Sequence, residues 1–166
     1  MGHGTSSATD IGPLISDQAC RDVHRLVRSA ISDGATLVTG GEELDGPGHF
    51  YRPTLLADVP PSSSVAREEI FGPIIAVTAF DTEQEAVDLA NDTDYGLASY
   101  VFTENLGRAI RMVDALDAGM MALNVGMLSN AAAPFGGVKQ SGLGREGGQE
   151  GIQEYLQLKY TLIANE

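Results

Sequence analysis

The chain has 166 residues, of which 43% are hydrophobic and 20% are charged, and its acidic residues outnumber its basic residues by 23 to 10. A formal net charge of -13 argues against binding to nucleic acid or to an anionic membrane, because both require a surplus of lysine and arginine. No apolar run approaches the ~20 residues of a membrane-spanning helix, and a single cysteine excludes an internal disulfide bond. We therefore expect a globular protein of the reducing cytoplasm.

The first predicted element in chain order is an amphipathic helix over residues 17–33. Ser16 can cap its start, apolar residues recur at three- and four-residue spacings, and Gly34 ends it. The periodicity places Cys20 on the apolar side, with no glycine-rich loop to expose its thiol. We therefore interpret Cys20 as a core residue and not as a nucleophile.

Short strands are predicted on both sides of a polar turn region. Residues 35–38 form an apolar run that is expected to be a buried strand, and residues 40–48 are polar and rich in glycine. A second strand is expected within residues 50–59, where Pro53 breaks its start.

Three apolar runs in the second half are also predicted to be strands: residues 73–80, 97–102 and 120–124. The first run is almost continuously apolar, as expected for a strand that is covered on both faces. Helical segments separate the runs, and such a succession implies parallel strands joined by right-handed crossovers. We therefore predict an α/β fold with a parallel sheet.

Both intervening helices carry start signals. Thr82 and Glu85 form a capping box, and Thr103 is predicted to cap the second helix, which Gly119 would end. The apolar stripe of this second helix is predicted to face the core. It consists of Leu106, Ile110, Val113 and Leu116.

The most unusual stretch, residues 134–146, follows the last of these strands. Its glycines exclude an ordinary helix or central strand and bring bare backbone close to another group. Gly142, Gly144 and Gly147 match G-x-G-x-x-G, but a dinucleotide site also needs a preceding strand and a later acidic residue, so this role is not assigned. In open α/β sheets ligands bind beyond the carboxyl ends of strands, which is where this loop lies.

Few residues are candidates for chemistry by their spacing alone. His3, His24 and His49 lie apart, and none has a Cys, Asp or Glu at metal-ligand spacing, so no metal site is predicted. Glu68 and Glu69 could act as paired carboxylates, but adjacent side chains of an extended segment point apart. A single useful carboxylate is the simpler interpretation.

Two long motifs resemble the NAD(P)-dependent aldehyde dehydrogenases. One is E-E-I-F-G-P at residues 68–73, and the other is P-F-G-G-x-K-x-S-G-x-G-R-E at residues 134–146. The resemblance implies that Glu69 hydrogen-bonds the ribose beside the nicotinamide and that Phe71 packs against the same end of NAD or NADP. A carboxylate is suited to accept two hydroxyl donors.

Further residues match positions near the aldehyde site of this family. Phe135 matches a residue of the entry pocket, and Asn124 matches an asparagine at a strand end beside the active site, although capping of the strand end is an equal alternative. Residues 124–130, N-V-G-M-L-S-N, resemble the succinate-semialdehyde dehydrogenase branch, in which a serine at the position of Ser129 helps hold the distal carboxylate. The implied substrate is a small aldehyde, succinate semialdehyde.

The resemblance covers residues 11–163 but only about the last third of the family pattern. It implies the parallel-sheet part of a catalytic domain over residues 1–154 and an oligomerisation strand over residues 155–166. In the complete enzymes a cysteine thiolate attacks the aldehyde, hydride passes to NAD or NADP, and water releases the acid from the thioester. The nucleophile, the base and the nucleotide-binding fold belong to the preceding part of the pattern, so this chain alone is expected to be an inactive piece of the enzyme.

The end of the chain predicts assembly. Residues 155–163 alternate, with Leu156, Leu158, Tyr160 and Leu162 on one face, which is typical of a strand that needs a partner. The resemblance implies that this strand, from Tyr155 to Ile163, reaches a neighbouring subunit in a homo-oligomer. A non-catalytic module that binds full-length dehydrogenase subunits or itself is the alternative hypothesis.

Overall fold

The computed structural model describes residues 1–164, which fall into two compact units, residues 1–80 and residues from Asp81 onward. The first unit contains α1 (Asp17–Ser32), β1 (Thr36–Thr39), β2 (Thr54–Ala57), α2 (Ser64–Arg67) and β3 (Ile74–Ala76). The second contains α3 (Glu83–Asn91), β4 (Tyr95–Gly96), β5 (Ala98–Val101), α4 (Leu106–Ala115), β6 (Met120–Leu123), β7 (Val138–Lys139) and a 3-10 helix (Glu150–Tyr155). Helices alternate with parallel strand pairs, which confirms the predicted α/β class. Within residues 1–164, no helix combines the length and the apolar character needed to cross a membrane.

Helix α1 confirms the sequence prediction at both ends. The Ser16 hydroxyl accepts a hydrogen bond of 3.1 Å from the Ala19 amide. Gly34 follows the helix with φ of 110°, a left-handed conformation that glycine adopts without a steric penalty. The buried side of the helix carries Cys20, Val23, Leu26, Val27 and Ala30.

The core of the first unit forms between α1 and the region of β2. Tyr51 and Leu56 are 2% and 0% exposed, and they join Val23 and Val27 in one apolar cluster. Removing this apolar surface from water is the main term that stabilises the unit.

The sheet of the first unit has the order β1-β2-β3, with β1 antiparallel and β3 parallel to β2. Two burial predictions are wrong here. All four residues of β1 are exposed, and Ile75 in β3 is 63% exposed, although the apolar runs predict buried strands. Both strands lie at the edges of the sheet, and the core cluster contains Leu56 of the central strand, with Ile74 of β3 packed against it.

In the second unit, β5 and β6 run parallel and are connected through α4, as the sequence pattern predicts. β4 and β7 form a separate antiparallel pair. The predicted succession of three parallel strands is wrong in one respect, because β3 pairs with β2 and the sheet of β5 and β6 has two strands. Strand pairing depends on tertiary context that local propensity does not encode.

Helix α3 begins at the predicted capping residue, but α4 does not. The Thr82 hydroxyl accepts a hydrogen bond of 3.1 Å from the Glu85 amide. In α4 the cap is Asn105, whose Oδ1 accepts a hydrogen bond of 2.9 Å from the Arg108 amide. Thr103 instead accepts a hydrogen bond from the Asn105 amide, so it stabilises the residues just before the helix.

The predicted buried stripe of α4 is also wrong. Leu106, Ile110 and Val113 are 74%, 55% and 41% exposed, whereas Ala109 and Met112 are buried. The two sets lie on adjacent sides of the helix, so the apolar spacing alone could not choose the side that packs. Gly119 does not end the helix, which stops at Ala115.

Residues 156–163 form no helix or strand within the described chain. The side chains of Leu156, Leu158, Tyr160 and Leu162 are between 59% and 107% exposed. A strand exists only through hydrogen bonds to a neighbouring strand, and no described strand pairs with this segment. The terminal strand therefore stays a prediction about assembly.

The two longer helices of the second unit are joined by an ion-pair network at Glu83. Its carboxylate binds Arg111 Nε at 2.6 Å and Arg108 Nε at 3.0 Å. The hydrogen bonds from Arg111 and Arg108 lower the pKa of Glu83 to about 2.

Replacing Glu83 by glutamine is expected to lower the melting temperature at pH 7 and to change it very little at pH 2. A carboxyl whose pKa is lower in the folded state stabilises the fold above its ordinary pKa of 4.5, and this contribution is lost as the pH falls towards 2. Thermal unfolding of wild type and Glu83→Gln across this range measures the difference, with Glu104→Gln as the control for an exposed carboxylate. An equal difference at both pH values would contradict the prediction.

Candidate functional site

Residues 68–72 lie against helix α1. The Glu68 carboxylate accepts a hydrogen bond of 2.9 Å from Arg25 Nη2, and this hydrogen bond lowers the pKa of Glu68. Ile70 packs against the core cluster, and a β-carbon added at Gly72 would lie 2.7 Å from Val23 Cγ2. Residues at alternate positions of this segment are therefore in contact with α1 or with the core.

The two residues between them, Glu69 and Phe71, are open to solvent. Glu69 is exposed, and Phe71 is 75% exposed. The backbone of Glu68 is extended, with φ of -91° and ψ of 147°, and consecutive side chains of extended backbone point to opposite sides. Both residues that are predicted to contact a coenzyme are therefore accessible on the outer side of the segment.

Cys20 is not placed for catalysis. Its side chain is 3% exposed, and burial raises the pKa of its thiol. Tyr51 lies in the same core, where burial raises its pKa to about 12, and its hydroxyl shares a hydrogen bond of 3.1 Å with His24 Nδ1. A buried, protonated thiol is unreactive, which confirms the packing role predicted for Cys20. Within residues 1–164, no group of three His, Cys, Asp or Glu side chains could hold a metal ion.

Asn124 connects the end of β6 to the residues that follow β5. Its Oδ1 accepts a hydrogen bond of 2.7 Å from the Thr103 amide, and its Nδ2 donates one of 2.8 Å to the Thr103 carbonyl. Its backbone is left-handed, with φ of 55°, a region that asparagine tolerates better than most residues. This geometry corresponds to the capping alternative for Asn124, because both polar ends of the side chain hold the loop.

Ser129 lies on the same loop after β6. Its side chain is exposed, and its hydroxyl has no hydrogen-bond partner among residues 1–164. The next residue, Asn130, accepts a hydrogen bond of 3.0 Å from the Ala132 amide and so closes a turn. The Ser129 hydroxyl is therefore available to a ligand.

Lys139 fastens the glycine-rich stretch to the ends of α3 and α4. Its Nζ donates to the Asn91 carbonyl at 3.1 Å and to the Thr93 carbonyl at 3.3 Å. It also lies 3.2 Å from the Asp117 carboxylate. The motif lysine is therefore bound to the protein's own backbone and to an acidic partner.

Ser141 and Arg145 stabilise the same glycine-rich stretch through hydrogen bonds to backbone groups. The Ser141 hydroxyl accepts a hydrogen bond of 3.0 Å from the Gly96 amide. Arg145 Nη1 donates to three carbonyl oxygens at 2.7–3.1 Å, those of Gly137, Leu143 and Gly144. The polar residues of this motif thus maintain the shape of a loop whose glycines let its backbone segments approach one another.

An open cavity of about 620 Å³ lies between this loop and the 3-10 helix. Phe135 contributes to its wall and exchanges two backbone hydrogen bonds with Glu146, of 2.7 and 2.9 Å. Its charged lining residues are Arg145, Glu146 and Glu154. Of the three predicted substrate-binding residues, Phe135 lines this cavity, whereas Asn124 and Ser129 do not.

The family model described as "Aldehyde dehydrogenase family" matches residues 1–161 of the chain. The chain belongs to the aldehyde dehydrogenase family. It is 53% identical over 164 residues to a succinate-semialdehyde dehydrogenase of Paenarthrobacter nicotinovorans, an alignment that covers 99% of this chain and 36% of that protein. The resemblance carried by the two sequence motifs is thereby confirmed.

Solved structures of aldehyde dehydrogenases have the same fold. The succinate-semialdehyde dehydrogenase of Burkholderia pseudomallei superposes with a TM-score of 0.90 at 46% identity, covering 93% of this chain and 32% of that one. A betaine aldehyde dehydrogenase of Staphylococcus aureus in complex with NAD+ gives a TM-score of 0.87 at 40% identity, covering 93% and 31%. This aldehyde dehydrogenase chain spans about a third of the length of the curated relatives it matches.

The contacts of the site residues add partners that the sequence motifs did not indicate. Arg25 binds Glu68 from 43 positions away in the chain. Glu154 Oε1 accepts a hydrogen bond of 3.3 Å from the Arg145 amide and holds the 3-10 helix near the glycine-rich loop. Neither pair has a fixed spacing or a local pattern, so only the folded aldehyde dehydrogenase chain shows them.

Proposed function

We propose that this chain supplies the coenzyme-facing segment and the substrate-facing loop of an aldehyde dehydrogenase that oxidises succinate semialdehyde with NAD or NADP. The observation that carries the proposal is the exposed pair Glu69 and Phe71 on a motif segment that is otherwise packed against α1. Family membership and the relatives at 46% and 53% identity that are named succinate-semialdehyde dehydrogenases support the reaction and the substrate.

The residues present fit a nicotinamide coenzyme. The Glu69 carboxylate is exposed and can accept two hydrogen bonds from the hydroxyls of a ribose. Phe71, at 75% exposure, offers an aromatic face to the same end of the coenzyme. When bound, NAD or NADP supplies the hydride acceptor, and Glu69 and Phe71 orient it.

A carboxylate-bearing aldehyde fits the loop after β6. The Ser129 hydroxyl is unpaired within residues 1–164 and can donate a hydrogen bond to the distal carboxylate of succinate semialdehyde. Asn124 keeps this loop attached to the residue after β5, and Phe135 stands at the wall of the cavity farther along the loop. In this proposal Asn124 positions the loop and Phe135 forms part of the aldehyde entry.

Replacing Ser129 by phenylalanine is expected to raise the KM for succinate semialdehyde about tenfold in a dehydrogenase of full family length that contains this segment. The change removes a donor to a charged group, so the KM for an uncharged aldehyde of similar length should rise much less. Steady-state kinetics with both aldehydes measures the difference, and Ser129→Thr, which keeps the hydroxyl, is the matched control. Equal effects on both aldehydes would remove the carboxylate-binding role.

We also propose that the enzyme is a homo-oligomer that uses residues 155–163. Leu158 and Tyr160 are 107% and 86% exposed, and an apolar face of this extent is normally covered in a soluble assembly. A strand pair with a neighbouring subunit would satisfy the backbone of this segment.

Deleting residues 155–166 is expected to shift the chain from a dimer or larger species towards a monomer, whose mass is below the 17.4 kDa of the complete 166-residue chain. Light scattering coupled to size exclusion at micromolar concentration measures the mass. Leu158→Asp should act like the deletion, while Leu143→Asp, at a comparably exposed position outside the segment, should leave the mass unchanged. A full-length chain that already runs as a monomer would contradict the proposal.

We also propose that the protein is located in the cytoplasm. Cys20 is buried as a free thiol, and a reducing compartment preserves such a thiol without further protection. The substrate and the coenzyme are both small soluble molecules, which is compatible with this compartment.

A further inference from the structure

We propose that Arg25 on α1 is a positioning residue for the coenzyme, because its ion pair with Glu68 keeps Glu69 free and turned outward. The inference rests on the proposed function of Glu69 as the ribose acceptor. It assigns a role to a helix residue that lies 43 positions before Glu68 and contributes no atom to the proposed coenzyme site.

The segment of residues 68–72 alternates between contact and exposure. Glu68 is paired with Arg25, Ile70 packs on the core, and Gly72 passes so close to Val23 that a β-carbon would lie 2.7 Å from Cγ2. Ile70 and Gly72 are thus fixed by packing, whereas Glu68 is held by its backbone hydrogen bond of 2.8 Å to the Ser64 carbonyl and, through its side chain, by Arg25 and Ser64. Arg25 is the α1 residue that binds the Glu68 side chain, so the direction of this side chain beside Glu69 depends in part on Arg25.

The charge of Glu68 makes this dependence specific for the coenzyme. A glutamate carboxyl is ionised at neutral pH, and the hydrogen bond from Arg25 lowers the pKa of Glu68 further. With Arg25 in place, its positive charge compensates this carboxylate beside Glu69. Without Arg25, Glu68 would be an uncompensated carboxylate next to Glu69, and its negative charge would act from the α1 side on a coenzyme whose phosphates are themselves negative.

The ion pair between Arg25 and Glu68 is too exposed to contribute much to the free energy of unfolding. The Arg25 and Glu68 side chains are 54% and 48% exposed, and exposed ion pairs contribute little to folding because water screens them. A purely structural role would therefore change the melting temperature very little and would leave the KM for the coenzyme unchanged. A positioning role instead predicts a change in coenzyme affinity with an unchanged melting temperature.

The test uses Arg25→Met in a dehydrogenase of full family length that carries this segment. The KM for the coenzyme, with NAD and NADP each measured, is expected to rise about two- to fivefold, while the KM for the aldehyde and the melting temperature stay unchanged. Arg25→Lys should restore part of the affinity because it keeps the charge but not the guanidinium geometry. The matched control is Arg21→Met, which removes the exposed Arg21–Asp17 pair on the same helix, away from the segment.

A double variant separates positioning from other effects. In a Glu69→Gln background, Arg25→Met should raise the coenzyme KM less than twofold, because Arg25 acts through Glu69. An unchanged coenzyme KM in Arg25→Met, or a full effect that persists in the Glu69→Gln background, would overturn the inference. If Glu69→Gln by itself leaves coenzyme kinetics unchanged, the proposed function of Glu69 fails instead.

Discussion

Replacing Glu69 by glutamine is expected to lower the turnover of the complete dehydrogenase about ten- to a hundredfold, with the fold preserved. Glu69 lies on the open side of a segment whose neighbours on either side are fixed, Glu68 by Arg25 and Ile70 by the core. The change removes a charge-assisted hydrogen-bond acceptor and thus loosens control of the nicotinamide ribose. Initial rates of NADH or NADPH formation measure the effect, and circular dichroism checks the fold.

A matched control for this experiment is Glu42→Gln in the same unit. Glu42 is an exposed carboxylate that binds Arg52 at 2.8 Å and lies outside the E-E-I-F-G-P segment, so its loss should leave turnover unchanged. If Glu69→Gln is also within a factor of two of wild type, Glu69 is a surface residue without a coenzyme role. A collapse of the fold in Glu69→Gln would contradict the assignment as well, because an exposed carboxylate should not be required for folding.

Replacing Gly119 by alanine is expected to destabilise the second unit by about 1–3 kcal/mol or more. The added β-carbon would overlap the Gly136 carbonyl oxygen and lie 2.7 Å from Gly137 Cα, so the glycine-rich loop would have to move away from the start of β6. Both obstacles are backbone atoms, which cannot turn aside as a flexible side chain would. The expected fall in melting temperature is at least about 5 °C.

The control for this variant is Gly126→Ala. No atom lies within 4 Å of a β-carbon built at Gly126, so alanine has room there. Thermal unfolding of the two variants beside wild type measures the difference. Equal melting temperatures for Gly119→Ala and Gly126→Ala would show that the loop does not pack against Gly119 in solution.

Residues whose roles depend on near neighbours in the chain were predictable. Ser16 and Thr82 cap their helices through amides three positions later, so the sequence places donor and acceptor together. The pattern around Cys20 also gave the correct side of α1, because the helix has a wide apolar face against a single core. The prediction that Thr103 caps α4 was wrong because Asn105, only two positions later, is also a suitable capping residue. The local pattern does not show which of the two residues caps the helix.

Residues whose roles depend on distant partners were not predictable. Ile75 of β3 and the predicted stripe of α4 (Leu106, Ile110 and Val113) are exposed. Hydrophobicity indicates that a face can be buried, but it does not indicate which element will cover that face. The sequence did not indicate that Asn124 exchanges two hydrogen bonds with Thr103, which lies 21 positions away. The Ser129 hydroxyl and the Glu69 carboxylate, by contrast, are exposed as their proposed roles require.

The sequence by itself determined the family, the α/β class, the helix starts at Ser16 and Thr82, and the core position of Cys20. These features depend on motifs and on interactions between residues that are close together in the chain, so they are visible in the sequence. Only the tertiary structure decided that β3 pairs with β2, that Lys139 and Arg145 bind the protein's own backbone, and that Arg25 holds Glu68 beside Glu69. The physical reason is that these contacts join residues without any fixed spacing, so their formation depends on which elements the folded chain brings together.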